Sequence, residues 1–166
     1  MLNAVRSRAT SRLEEGMMLY DTRDMEPCWG EPGMDALHEE LFSSLRGLAN
    51  SNDGDFRFGF GLLVRQVEHV FAREEAWMDA IDFDGALPHR EQHARVLAAL
   101  HQVHSRVMRS ELATGRDVVE RLLPQWLLFH TETMDSALAR SMQSAEAETM
   151  SLGFGGTMPR APATVH

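Results

Sequence analysis

The amino-acid sequence predicts an all-α protein, an up-down-up-down four-helix bundle preceded by an N-terminal arm and followed by a disordered C-terminal tail. Three observations carry that prediction. Four stretches place apolar residues at helical spacing, with clusters of Gly, Pro, Asn and Asp between them. The composition, 43% hydrophobic with eleven Met against one Tyr, favours helix over sheet. Each of the four stretches also offers an imidazole or a carboxylate, which is how a bundle builds a metal site in its core.

Residues 1–28 read as an arm or a short helix, because Leu2, Val5, Leu13, Met17 and Leu19 have only loose helical spacing and Asp21 to Asp24 and Pro27 break it. Gly30-Glu31-Pro32-Gly33 is a turn. The bundle is expected over 29–148. Its first helix carries Met34, Leu37, Leu41, Phe42, Leu45 and Leu48 at i, i+3, i+7, i+8, i+11 and i+14. Asp35 near its start suits the positive end of the helix dipole, and His38 lies on or beside the apolar face. Asn50 to Asp55 form a loop with capping residues at its end.

The second helix, about 56–81, has a stripe of Phe60, Leu63, Val64, Val67, Val70, Phe71, Trp77 and Met78. Glu74 falls on that stripe, four residues after Val70, where an ionisable group needs a partner. Glu75 and Arg73 can be solvated. Asp82 to Pro88 close this helix and open the third, about 88–112, with Pro88 tolerated in a first turn. The third helix carries His89, His93, Val96, Leu97, Leu100, Val103, Val107 and Met108. His104 lies only about 20° in rotation from His93 but about 16 Å along the axis, too far to share one ion. It reads as a core or end-of-bundle residue, and His101 as a flank. After Thr114 to Asp117, the fourth helix, about 116–147, runs through Leu122, Leu123, Trp126, Leu127, His130, Met134, Leu138 and Met142. Pro124 should kink or loosen it. Residues 149–166, rich in Gly and Pro, form the flexible tail.

Composition narrows the function. A net charge of −9 argues against nucleic acid as a partner, since phosphate binding needs clustered cations. No apolar run reaches the roughly 20 residues of a membrane span, and the first residues lack the basic-then-apolar pattern of a secretory signal. Cys28, the single cysteine, allows no internal disulfide, so a cytoplasmic setting is expected. No Gly-rich phosphate loop, CxxC pair or serine-nucleophile elbow is present.

What remains is a set of possible metal ligands. His89 and His93, four apart, are rotated by about 40° and separated by about 6 Å along one helix, close enough to grip a single ion. In chain order the candidates are His38, Glu74, His89, His93, His130 and Asp135, and imidazole with carboxylate in a dry pocket suits iron.

The motifs Met34-Asp35-Ala36-Leu37-His38 with Leu41-Phe42, Phe71-Ala72-Arg73-Glu74-Glu75 with Met78, His89-Arg90-Glu91-Gln92-His93, and Trp126-Leu127-Leu128-Phe129-His130 leading to Asp135 resemble the bacteriohemerythrin family, bacterial non-haem di-iron proteins that bind dioxygen. The resemblance spans about 29–145. It implies that His89, His93 and His130 hold one iron, that Glu74 and Asp135 bridge to a second, and that His38 serves the second, which keeps a position open for dioxygen. It implies iron as the cofactor, two per chain or one, and dioxygen, another small diatomic or peroxide as the partner.

One position departs from that family. Its pattern has histidine four residues before the bridging glutamate, where this chain has Val70. The nearby His69 is rotated about 140° from Glu74 on a regular helix. Either Val70 replaces the ligand, or a π-bulge between His69 and Glu74 brings His69 round. The flanking pattern aligns without an insertion, which favours replacement. The expected function is an oxygen-binding or oxygen-sensing metalloprotein rather than an enzyme. A redox enzyme acting on peroxide or nitric oxide and a metal-depleted interaction module are the alternatives.

Overall fold

The computed structural model describes residues 30–153. The expected N-terminal arm, 1–28, and the tail beyond residue 153 lie outside the described residues. Four helices follow one another: α1 (Pro32–Ala49), α2 (Asp53–Ala80), α3 (Ala86–Met108), and α4 over residues 112–153, which is built of five segments. Short connections at 50–52, 81–85 and 109–111 return each helix alongside its predecessor, and α4 packs back on α1 to close a four-helix bundle.

The ends of the helices follow from local chemistry. Glu31 caps α1, its carboxylate accepting the Met34 N–H at 2.7 Å, and Pro32 stands in the first turn, where its missing N–H is no loss. Asn52 caps α2 through Oδ1, which accepts from the Gly54 and Asp55 N–H groups at 3.0 Å each. Helix α3 stops at Met108, short of the expected 112, where Ser110 adopts a left-handed φ of 71°. Helix α4 continues through Gly153, past the expected bundle end at 148.

Helix α4 is not uniform. Segments Leu112–Asp117, Leu123–His130 and Ser136–Gly153 are α-helical, and Val118–Leu122 and Thr131–Asp135 are π turns. The first π turn answers Pro124. A proline nitrogen cannot donate to the carbonyl four residues back, and its ring crowds that carbonyl. The backbone widens just before it, so that the Leu123 N–H donates to the Val118 carbonyl, five residues back. In the second, the Ser136 N–H reaches the Thr131 carbonyl, again five back. No such turn interrupts α2: between His69 and Glu74 it is regular α-helix. The bulge needed to bring His69 round is therefore absent, because nothing there disturbs the i→i−4 ladder.

Two apolar clusters fill the bundle. The larger includes Leu41, Leu45, Phe56, Phe60, Val67, Val70, Phe71, Leu100 and Leu127. The smaller consists of Met34, Met78, Leu138, Ala139 and Met142. Buried Gly115 lets α4 approach closely, since a Cβ there would lie 2.5 Å from Val107 Cγ2. Between the two clusters lies a layer of buried polar side chains: His38, Glu74, His89, His93, His130 and Asp135, each at most 1% exposed.

Candidate metal centre

That layer exists because each helix turns one or two polar residues onto an otherwise apolar stripe at the same height. His38 stands one turn after Met34 on α1, and Glu74 one turn before Met78 on α2. His89 and His93 occupy the first turns of α3, and His130 and Asp135 flank the second π turn of α4. On a regular α-helix, residues five apart point about 140° away from each other. The five-residue turn of α4 removes that divergence and delivers both side chains to one place.

Donor atoms of Glu74, His89, His93, His130 and Asp135 all lie within 4.8 Å of one another. The His89 and His130 Nε2 atoms are 2.9 Å apart, and those of His93 and His130 3.2 Å. The carboxylates divide their oxygens. Glu74 Oε2 lies 3.1 Å from His93 Nε2, whereas Oε1 is 2.9 Å from His38 Nε2. Asp135 Oδ1 lies 3.0 Å from His89 Nε2 and 3.4 Å from His130 Nε2, whereas Oδ2 is 3.3 Å from His38 Nε2. Each carboxylate thus shows one oxygen to a group of three histidines and the other to His38.

The chemistry of these atoms fits metal ions. Several buried polar atoms here (Glu74 Oε2, both Asp135 oxygens and His89 Nδ1) make no hydrogen bond of acceptable geometry, despite close neighbours. Buried polar groups are otherwise nearly always paired. Donors set at right angles about 2.1 Å from a divalent ion lie about 3 Å from each other, which is the spacing found. An imidazole and carboxylate set without thiolate suits iron among the redox metals.

The histidines are held from behind. The His93 Nδ1–H donates to Glu75 Oε1 and the His130 Nδ1–H to Gln92 Oε1, both at 3.1 Å, which leaves each Nε2 lone pair facing inward. Phe71 stacks on His93 at 3.8 Å and 5°, and Trp126 on His130 at 4.3 Å and 20°, fixing both ring planes. Glu75, expected to be solvated, is 37% exposed yet bonded to His93, because α3 brings that ring within reach. Sequence reasoning missed Glu75 and Gln92 in this role. The only signal was their position beside an inward-facing ligand candidate.

In the metal-free protein the protonation states pull in different directions. Burial opposes charge on His38, but the Glu74 hydrogen bond and the Asp135 and Glu74 charges outweigh it and raise its pKa. Burial prevails at His89 and lowers its pKa against the pull of Asp135. Burial would raise the Asp135 pKa, but the His130 and His89 imidazoles hold it well below the usual carboxylate range.

The six candidates of the sequence reading therefore meet in one layer. His69 is exposed on α2, away from them, and Val70 is buried at 1% on the Glu74 side of that helix. His104 is half-buried farther along the bundle, stacked on Phe60 with centroids 6.0 Å apart, and exposed His101 pairs with Glu68 at 3.0 Å. Among the described residues, no helix is long and apolar enough to cross a membrane.

Comparison with known proteins agrees with this geometry. The chain is 34% identical over 106 residues to a bacteriohemerythrin of Ralstonia nicotianae, covering 64% of this chain and 77% of that protein. It is 28% identical over 102 residues to a hemerythrin of Sipunculus nudus, covering 61% and 76% respectively. No family model matches, and no solved structure does. The extent of the bacteriohemerythrin match, together with the buried cluster of histidines and carboxylates within one four-helix bundle, shows that the chain belongs to the bacteriohemerythrin family and is a hemerythrin-like iron protein.

Proposed function

We propose that this protein binds or senses dioxygen at a carboxylate-bridged iron pair in the bundle core, held by His38, Glu74, His89, His93, His130 and Asp135. The observation that carries the reading is the division of the Glu74 and Asp135 oxygens between the three-histidine group and His38. When bound, two ferrous ions supply the electrons with which dioxygen is held. The chain contributes the rest. His93 and His130 present Nε2 inward because Glu75 and Gln92 accept from their Nδ1 atoms, and two carboxylates would offset part of the ferrous charge. The two apolar clusters on either side keep bulk water from the layer. Val70 stands in place of a fifth imidazole, one from α2, and His69 stays outside the site. The relatives' names, bacteriohemerythrin and hemerythrin, point to the same ligand. We place the protein in the cytoplasm.

The test is anaerobic reconstitution with ferrous iron followed by exposure to air. Visible absorption should appear with oxygen, disappear on purging with argon, and be absent from His93→Ala. Iron-loaded protein without an oxygen-dependent spectrum would overturn the proposal. Turnover of added peroxide without a reversible spectrum would assign the site to redox catalysis instead.

A further inference from the structure

Resting on that iron-binding reading, we infer that the two metal positions are unequal: the three-histidine position is nearly closed by protein donors and fills first, whereas the His38 position is short of donors and fills second. The two sides can be counted. Around one stand three imidazole Nε2 atoms, from His89, His93 and His130, with Glu74 Oε2 and Asp135 Oδ1. Around the other, Glu74 Oε1 and Asp135 Oδ2 meet His38 Nε2. Counting the described residues alone, an ion that prefers six donors lacks one group on the first side and three on the second.

Among the described residues, no other helix makes up the difference. The α2 residue one turn before Glu74 on the same face is Val70, which is 1% exposed and offers only methyl groups. Its neighbour His69 is exposed. Among the described residues, no further His, Cys, Asp or Glu joins the five-residue cluster of Glu74, His89, His93, His130 and Asp135. The first side is also better prepared for an ion. Phe71 and Trp126 stack on two of its rings, and Glu75 and Gln92 hold their far nitrogens. Val70 therefore accounts for one of the two donors by which the His38 position falls behind the other, and solvent or small anions complete the His38 position.

Competitive titration under anaerobic conditions, with ferrous iron and a chromophoric chelator, reads both positions. In the wild type the first equivalent should bind tightly and the second more weakly. Losing a group that merely supports a ligand costs about 10–100-fold in metal affinity, so a missing ligand should cost at least as much. Val70→His should accordingly tighten the second equivalent by at least about tenfold and leave the first unchanged. His38→Ala, which does not depend on fitting a larger side chain at Val70, should abolish the second equivalent and spare the first. Two equivalents of equal affinity in the wild type would overturn the inference. So would a folded Val70→His protein with an unimproved second equivalent, or a His38→Ala protein that loses the first. Failure of the wild type to bind any ferrous iron would instead defeat the iron-binding reading itself.

Discussion

Glu75 shows how one side chain can govern a ligand it sits behind. Its Oε1 accepts from His93 Nδ1 at 3.1 Å, and Arg90, the residue after His89, holds it in place. The Arg90 guanidinium donates to the Glu75 carbonyl at 3.2 Å and to Asp79 Oδ1 at 2.6 Å, and its Nε lies 4.0 Å from Glu75 Oε2. A negative acceptor on Nδ1 fixes the imidazole tautomer and makes Nε2 a stronger donor to metal. Glu75→Ala should weaken ferrous iron binding by about 10–100-fold, and Glu75→Gln, which keeps an acceptor oxygen, should recover most of it. Chelator competition measures both variants. Helical periodicity had put Glu75 on the solvent side, and its 37% exposure agrees. Periodicity ranks a residue by its own helix, so it did not register that α3 brings His93 to that edge. Glu74, by contrast, was legible from sequence: a carboxylate on a stripe of Val67, Val70, Phe71 and Met78 demands a partner wherever the neighbouring helices lie.

At the level of the helices, α1 to α3 were readable within a few residues, because the apolar stripes are regular and capping residues such as Asn52 mark a helix start, although the expected turn at Gly30 to Gly33 proves to hold the Glu31 cap and the first residues of α1. Helix α4 was only partly readable. Pro124 announced a disturbance, which takes the form of the Val118–Leu122 turn. The turn at Thr131–Asp135 has no proline to announce it. Its one trace is the five-residue interval from His130 to Asp135, which a regular helix would splay apart. Packing sets the approach of α4 at another point. Gly115 is buried, and an added Cβ would meet Val107 Cγ2 at 2.5 Å and Phe56 Cε1 at 3.0 Å. Neither neighbour is the end of a flexible chain, so Gly115→Ala should act as overpacking and destabilise by about 1–3 kcal/mol despite alanine's better helix propensity. The urea midpoint of the variant measures the loss.

Across the whole molecule, the polar layer joins iron chemistry to folding. Six ionisable groups lie between two apolar clusters at most 1% exposed, so without metal they have to satisfy one another. The depressed Asp135 pKa means that the unfolded chain takes up this proton first as pH falls. Its contribution to stability is present above its unfolded pKa of about 3.9 and is lost as pH drops below it. The lowered His89 value acts in the same sense from about pH 6.5 downward. The raised His38 value acts in the opposite sense: its contribution is full below about pH 6.5 and is lost as pH rises through the folded value. In the metal-free protein, the stability gap between wild type and Asp135→Asn should be widest above about pH 5 and begin to narrow as pH falls below about 4. Urea unfolding at a series of pH values checks this.

The widened turn between His130 and Asp135 also sets a rule for anyone who would graft this centre onto an idealised scaffold. A straight rod of 3.6 residues per turn cannot present both side chains inward. The recipient helix must therefore carry one surplus residue there, and a template of uniform pitch would misplace every inward position beyond it.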